Sequence, residues 1–161
     1  MIKEIYFAGG CFWGVEKYFS LISGIIETEV GYANGHTENP SYEDICSDLT
    51  GHAEAIRIVY NDTLISLDDL LKKLYDIIDP TAINRQGPDI GSQYRTGVYY
   101  TNPEEQLIIA ASLAQLQNFH DKPITVENTP LIKYYKAEEY HQKYLDKNPG
   151  GYCHIPSSKF S

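Results

Sequence analysis

Two adjacent glycines, Gly9 and Gly10, separate a run that reads as a strand, residues 2 to 8, from a run whose apolar residues Phe12, Val15, Phe19 and Ile22 recur at helical spacing. Glycine frees the backbone for a sharp reversal, so the chain commits near its start to strand, turn and helix, with Gly24 placed to end the helix. Cys11 and the only tryptophan, Trp13, fall at the mouth of that helix.

The rest of the chain alternates strands with helices. Strands are predicted over about 25–33 and 52–60, in "TGVYYT" and in "ITVEN". Ser66 is placed to cap a helix running to about residue 78, with Asp68 and Asp69 in its first turn and Pro80 to stop it. "NPEEQLIIAASLAQLQNF" predicts another helix, with Asn102 as cap, Pro103 at the first position and Glu105 set for a capping box. A short helix is expected over 137–146 and coil over 147–161, the tail that carries Cys153. Residues 32–51 and 80–95 read as irregular segments, long enough to suggest a function. The pattern suits one α/β (α+β) domain spanning 1–161, an open mixed sheet with helices packed on it, rather than a regular barrel.

Thirteen Lys and Arg against 22 Asp and Glu give a net charge of -9, which repels phosphate backbones and anionic membranes. Neither nucleic acid nor a membrane is an expected partner. The start lacks the basic, apolar and small-residue succession of a secretory signal, so a cytoplasmic location is expected. In a reducing compartment the three cysteines, Cys11, Cys46 and Cys153, are inert core residues or working thiols. Their spacing is no zinc pattern, the histidines show no HExxH arrangement, and the glycines match no phosphate or dinucleotide loop. No bound cofactor or metal is expected.

A helix amino terminus stabilises a thiolate, so Cys11 is a candidate nucleophile, against the alternative of a buried cysteine in a turn. Phe12 and Trp13 point in different directions from one helix, which leaves one of them to line a cleft. Strand alternation puts His52, Glu54, Ile56, Ile58 and Tyr60 on one face. A carboxyl group drawn onto that apolar face keeps its proton and can act as a general acid; an exposed strand-end glutamate is the equal alternative. Tyr42 and Tyr94 each lie in one of the two irregular segments.

Four motifs then occur in order, "GCFWG" at 10–14, "GHAEA" at 51–55, "DIGSQYR" at 89–95 and "NPGGYCHI" at 148–155, and with them the chain resembles the A-type peptide methionine sulfoxide reductases. The resemblance implies a ferredoxin-like mixed-sheet sandwich and reduction of methionine S-sulfoxide, free or in oxidised proteins, as a peptide-methionine (S)-S-oxide reductase. It implies that Cys11 is the nucleophile, Glu54 the proton donor, Tyr42 and Tyr94 the donors to the sulfoxide oxygen, Phe12 and Trp13 the pocket for the substrate methyl, and Asp89 an acidic residue near that pocket. Cys153 is then the resolving thiol, forming a disulfide with Cys11 that an external thiol, thioredoxin or dithiothreitol, reduces. No cysteine follows Cys153, Cys46 is read as structural, and the protein is expected to act as a monomer.

Overall fold

The computed structural model describes residues 1–160; Ser161, the end of the predicted tail, lies outside them. The opening strand, turn and helix form: β1 (Ile2–Gly9), a turn at Gly10 with φ +92°, and α1 (Phe12–Ser20), which ends at its C-cap Leu21 and not at Gly24 as the sequence predicts. They are followed by β2 (Ile25–Ala33), α2 (Tyr42–Cys46), β3 (Ala53–Asn61), α3 (Leu67–Tyr75), the short strands β4 (Arg85–Gln86) and β5 (Asp89–Ile90), and β6 (Thr96–Tyr100). The remaining elements are α4 (Glu105–Gln117), β7 (Glu127–Pro130), β8 (Tyr134–Lys136) and α5 (Tyr144–Lys147).

Six strands form one mixed sheet in the order β7-β6-β1-β3-β2-β8, in which only β6 and β7 run parallel; β4 and β5 make a separate hairpin. This is the mixed α/β architecture the sequence predicts. β3 is central, paired with β1 on one side and β2 on the other. Its alternation holds, since Ile56, Ile58 and Tyr60 join the main core with Ile5 and Phe7 of β1, Phe12, Val15 and Phe19 of α1, and Leu70, Leu71 and Leu74 of α3. Each such side chain contributes about 1.5–3 kcal/mol of burial free energy, which fixes α1 and α3 on this face. The opposite face is shallower and built on Ala8, Ala33, Ala53, Ala55, Tyr6 and Tyr99.

Several local expectations need correction. Asn102 does not cap α4 at Pro103: its side chain accepts the Glu104 N–H at 3.0 Å, the helix begins at Glu105, and no capping box forms. The helix expected over 137–146 is broken, because Lys143 takes a left-handed φ of +56° between a 3-10 turn at Glu139–His141 and α5. α3 ends at Tyr75, short of residue 78, and the predicted coil tail closes in a 3-10 turn, Ser157–Phe160. The irregular segment 32–51 contains α2, opened by a reciprocal Ser41–Asp44 capping box. Among the described residues, no helix is long and apolar enough to cross a membrane.

Candidate active site

Cys11 is the N-cap residue of α1, with its side chain only 7% exposed. Glu54 rises from central strand β3 onto the helix-covered face, 1% exposed, and its Oε1 accepts the N–H of Phe12 at 3.2 Å. A carboxyl group from the sheet thus meets the first free amide of α1, one residue from the thiol. Burial pushes Glu54 up to about 8, against the lowering effect of the Phe12 N–H and with Asp89 adding to the rise. With Oε1 taken by Phe12, the protonated group keeps an O–H to offer from Oε2.

The helix terminus does not make Cys11 a resting thiolate, contrary to the sequence expectation. Burial pushes the thiol far above the ordinary range, the Glu54 charge pushes the same way, and the bond to the Trp13 backbone only partly opposes them. A helix end stabilises charge by about 2 kcal/mol at most, less than the cost of desolvating a buried ion.

Tyr42 opens α2 and Tyr94 closes a 3-10 turn at Ser92–Tyr94, so the two irregular segments converge here. Both hydroxyls are pushed well above the ordinary phenol range, first by burial and next by the charge of Glu54, which keeps them as O–H donors. Asp89, on the β4–β5 hairpin, accepts the Tyr152 hydroxyl at 3.0 Å and bears electrostatically on Cys11, Glu54 and Tyr94.

Phe12 and Trp13 divide as their divergent directions require. Phe12 is buried against Tyr32 and His141, with ring centroids at 5.7 and 5.2 Å, and backs the site from the core. Trp13 is half-buried, stacks on Tyr144 at 3.8 Å with the planes 10° apart, and donates from Nε1 to His141 Nδ1 at 2.9 Å. It is the aromatic that retains surface for a ligand.

Cys153 lies over the first turn of α1: a Cβ built on Gly14 would meet its Sγ at 2.7 Å. Its thiol is half-buried, and burial raises it above the ordinary range. An open groove of about 640 Å³ runs beside it, lined by Leu145, Pro149, Ile155, Pro156 and Phe160 among others. Cys46, read as structural, is instead exposed at the end of α2, beside the Tyr42 side chain. All three thiols are unpaired.

Sequence reasoning missed three residues that hold the site together. Glu138 accepts the Tyr42 N–H at 2.8 Å and the Tyr32 hydroxyl at 2.7 Å, which ties α2 to β2. His141, 0% exposed, and Tyr144 clamp the Trp13 indole. Their one sequence signal, the polar and aromatic run "EEYHQKY", reads equally well as an ordinary amphipathic surface. Among the described residues, no three His, Cys, Asp or Glu side chains gather to hold a metal ion.

A sequence model described as "Peptide methionine sulfoxide reductase" matches residues 3–161. "Peptide methionine sulfoxide reductase MsrA" of Lachnoclostridium phytofermentans is 56% identical over 160 residues, 99% of this chain and 96% of that protein. Among solved structures, reduced Mxr1 from Saccharomyces cerevisiae superposes with a TM-score of 0.91 at 37% identity, over 96% of this chain and 91% of that one. The same yeast protein in complex with Trx2 superposes with a TM-score of 0.65 at 26% identity, over 89% and 84% of the two chains.

Proposed function

Because the chain belongs to the peptide methionine sulfoxide reductase family, we propose that Cys11, Glu54, Tyr42, Tyr94 and Cys153 carry out its reduction of methionine sulfoxide in the following way. The sulfoxide sulfur sits against Cys11, its methyl toward the aromatic wall of Phe12 and Trp13, its oxygen toward Glu54, Tyr42 and Tyr94. Sulfoxide oxygen leaves poorly unless it is protonated or hydrogen-bonded. Glu54 gives its proton to that oxygen while the Cys11 sulfur attacks, and the proton lost by the thiol restores Glu54. Oxygen ends on the Cys11 sulfur as sulfenic acid, and two electrons pass to the substrate, which departs as methionine. A resting thiol is compatible with this step because attack and proton transfer occur together. Asp89 contributes negative charge that helps Glu54 keep its proton.

The Cys153 thiol condenses with the sulfenic acid, releasing water and forming a disulfide that an external thiol then reduces. The complex of the related Mxr1 with Trx2 supports a thioredoxin-like reductant; dithiothreitol serves in vitro. The S epimer, free or in oxidised proteins, is the substrate we assign, and the reducing cytoplasm suits the cycle. One chain carries both thiols, so a monomer suffices.

The observation that carries this reading is a buried, proton-retaining carboxyl group bonded to the amide next to Cys11. Its test is single turnover of reduced protein with each sulfoxide epimer. One sulfoxide consumes two electrons, so one methionine per chain is expected from the S epimer, with free thiols falling from three to one. Cys153→Ser should also release one methionine but leave Cys11 as a sulfenic acid that dimedone traps. Release of methionine by Cys11→Ser would refute the assignment.

A further inference from the structure

The residue after the resolving thiol has no role in the cycle described above, yet its ring is placed beside the nucleophile's turn. His154 Nε2 lies 3.2 Å from the Gly9 carbonyl oxygen, and a Cβ on Gly10 would come within 3.0 Å of it. The next residue back, Cys153, has its sulfur against Gly14. The tail therefore straddles the turn that holds Cys11, with imidazole toward Gly10 and thiol toward Gly14.

An imidazole nitrogen that faces a carbonyl oxygen must carry the hydrogen, so the Nε2 bond to Gly9 leaves Nδ1 with a bare lone pair. That Nδ1 is buried and has no hydrogen-bond partner among the described residues. A buried acceptor without a partner costs about 1–3 kcal/mol, and native structures keep few of them without a use.

We propose that His154 is the base that accepts the Cys153 proton when this thiol attacks the Cys11 sulfenic acid. The inference rests on the roles assigned above to Cys11 and Cys153. In the step the Cys153 S–H bond breaks and its proton goes to Nδ1, the sulfur–sulfur bond forms, and the Cys11 S–O bond breaks. The departing hydroxide takes the proton back as water. The two electrons that reduced the substrate are thus shared out between two sulfurs, and no outside reagent is needed. In the reduced protein the Cys153 thiol rests on the Ile155 carbonyl oxygen at 3.6 Å, a long contact that is easily given up.

The surroundings favour this role. Burial holds His154 below the ordinary imidazole range, partly offset by the Gly9 bond and by Asp89 of the β4–β5 hairpin, so it is neutral and able to accept at pH 7. Burial raises Cys153, so little thiolate exists without a base. The charged group that bears on the ring is Asp89, and the aliphatic part of the Gln86 side chain shares the space over Gly10 with Nε2.

The test is a single turnover of the reduced full-length chain with one equivalent of methionine S-sulfoxide, quenched at intervals and scored for methionine, trapped sulfenic acid and disulfide. His154→Gln keeps a donor for the Gly9 carbonyl and removes the base; His154→Asn is a second variant with the same loss. In both, disulfide formation should slow at least ten-fold relative to methionine release in the same sample, with sulfenic acid accumulating. The wild-type resolving rate should level off above the imidazole pKa, whereas the variants' rate should go on climbing with the thiol's own ionisation, and added imidazole should partly restore them. Resolution at the wild-type rate, or slowed with an unchanged pH profile, would overturn the proposal. Absence of methionine from the wild type would instead defeat the functional reading on which it rests.

Discussion

Replacing Glu54 by glutamine tests the central charge assignment without any substrate. In the fold burial raises this carboxyl group from an ordinary value of 4.5 to about 8. A raised carboxyl pKa makes the folded state bind the proton more tightly than the unfolded chain does. Its contribution is fully present below pH 4.5 and is lost as pH rises through about 8. At about 1.4 kcal/mol for each pH unit between those values, the loss between pH 5 and pH 9 comes to about 4 kcal/mol. Glutamine does not titrate, and its carbonyl oxygen can still accept the Phe12 N–H. Urea unfolding of both proteins at pH 5, 7 and 9 should therefore show the variant gaining about 4 kcal/mol on the wild type across the range. The gain should level off above pH 8. A difference that stays flat within about 1 kcal/mol would mean that Glu54 is ionised throughout, and the proton-donor assignment would fail with it.

Three further outcomes are expected. Gly14→Ala gains up to about 1 kcal/mol of helix propensity but drives a methyl group into the Cys153 sulfur, so one methionine should still be released while disulfide formation slows at least ten-fold; formation at the wild-type rate would contradict the placement of the tail. Trp13→Phe loses the 2.9 Å bond to His141 and should raise the KM for sulfoxide about ten-fold with a smaller change in kcat, measured in steady state with dithiothreitol; an unchanged KM would remove Trp13 from the pocket. Glu16, 2% exposed, accepts the Lys143 N–H at 2.7 Å and the Thr28 hydroxyl at 2.9 Å. Glu16→Ala leaves the buried Thr28 hydroxyl and the part-buried Lys143 N–H unpaired and should cost about 2 kcal/mol in urea unfolding, whereas an unshifted midpoint would show that water replaces the carboxylate.

What could be read in the residues alone was local. The turn at Gly10 and the helix that follows it depend on neighbours in sequence, as does the alternation that sets Glu54 beside Ile56 and Ile58 on the covered face. β8 and the β4–β5 hairpin exist only through pairing with distant or very short partners and carry too few residues to show a period. α2 carried a legible capping box at Ser41 and Asp44, masked by the turn-forming residues around it. In the proposed site Cys11 and Glu54 were legible as candidates because their motifs are compact. Their charge states were not equally so: Glu54 follows from strand alternation, while the neutral Cys11 depends on burial that the helix position does not reveal. The clamp on Trp13 comes from His141, 128 positions away, and from Tyr144 beyond it, a distance no local pattern spans.

The placement of Glu54 on the innermost strand has a mechanical consequence. Among the groups of the proposed cycle, Glu54 is anchored by ladders on both flanks, Cys11 by the start of one helix, and Cys153 by a tail that has no ladder of its own among the described residues. Stiffness therefore falls from Glu54 through Cys11 to Cys153, so in the proposed cycle the proton is delivered from a fixed anvil while the thiol that acts last keeps the freedom to swing. Amide hydrogen exchange should follow the same gradient, slowest around residue 54 and fastest beyond residue 147.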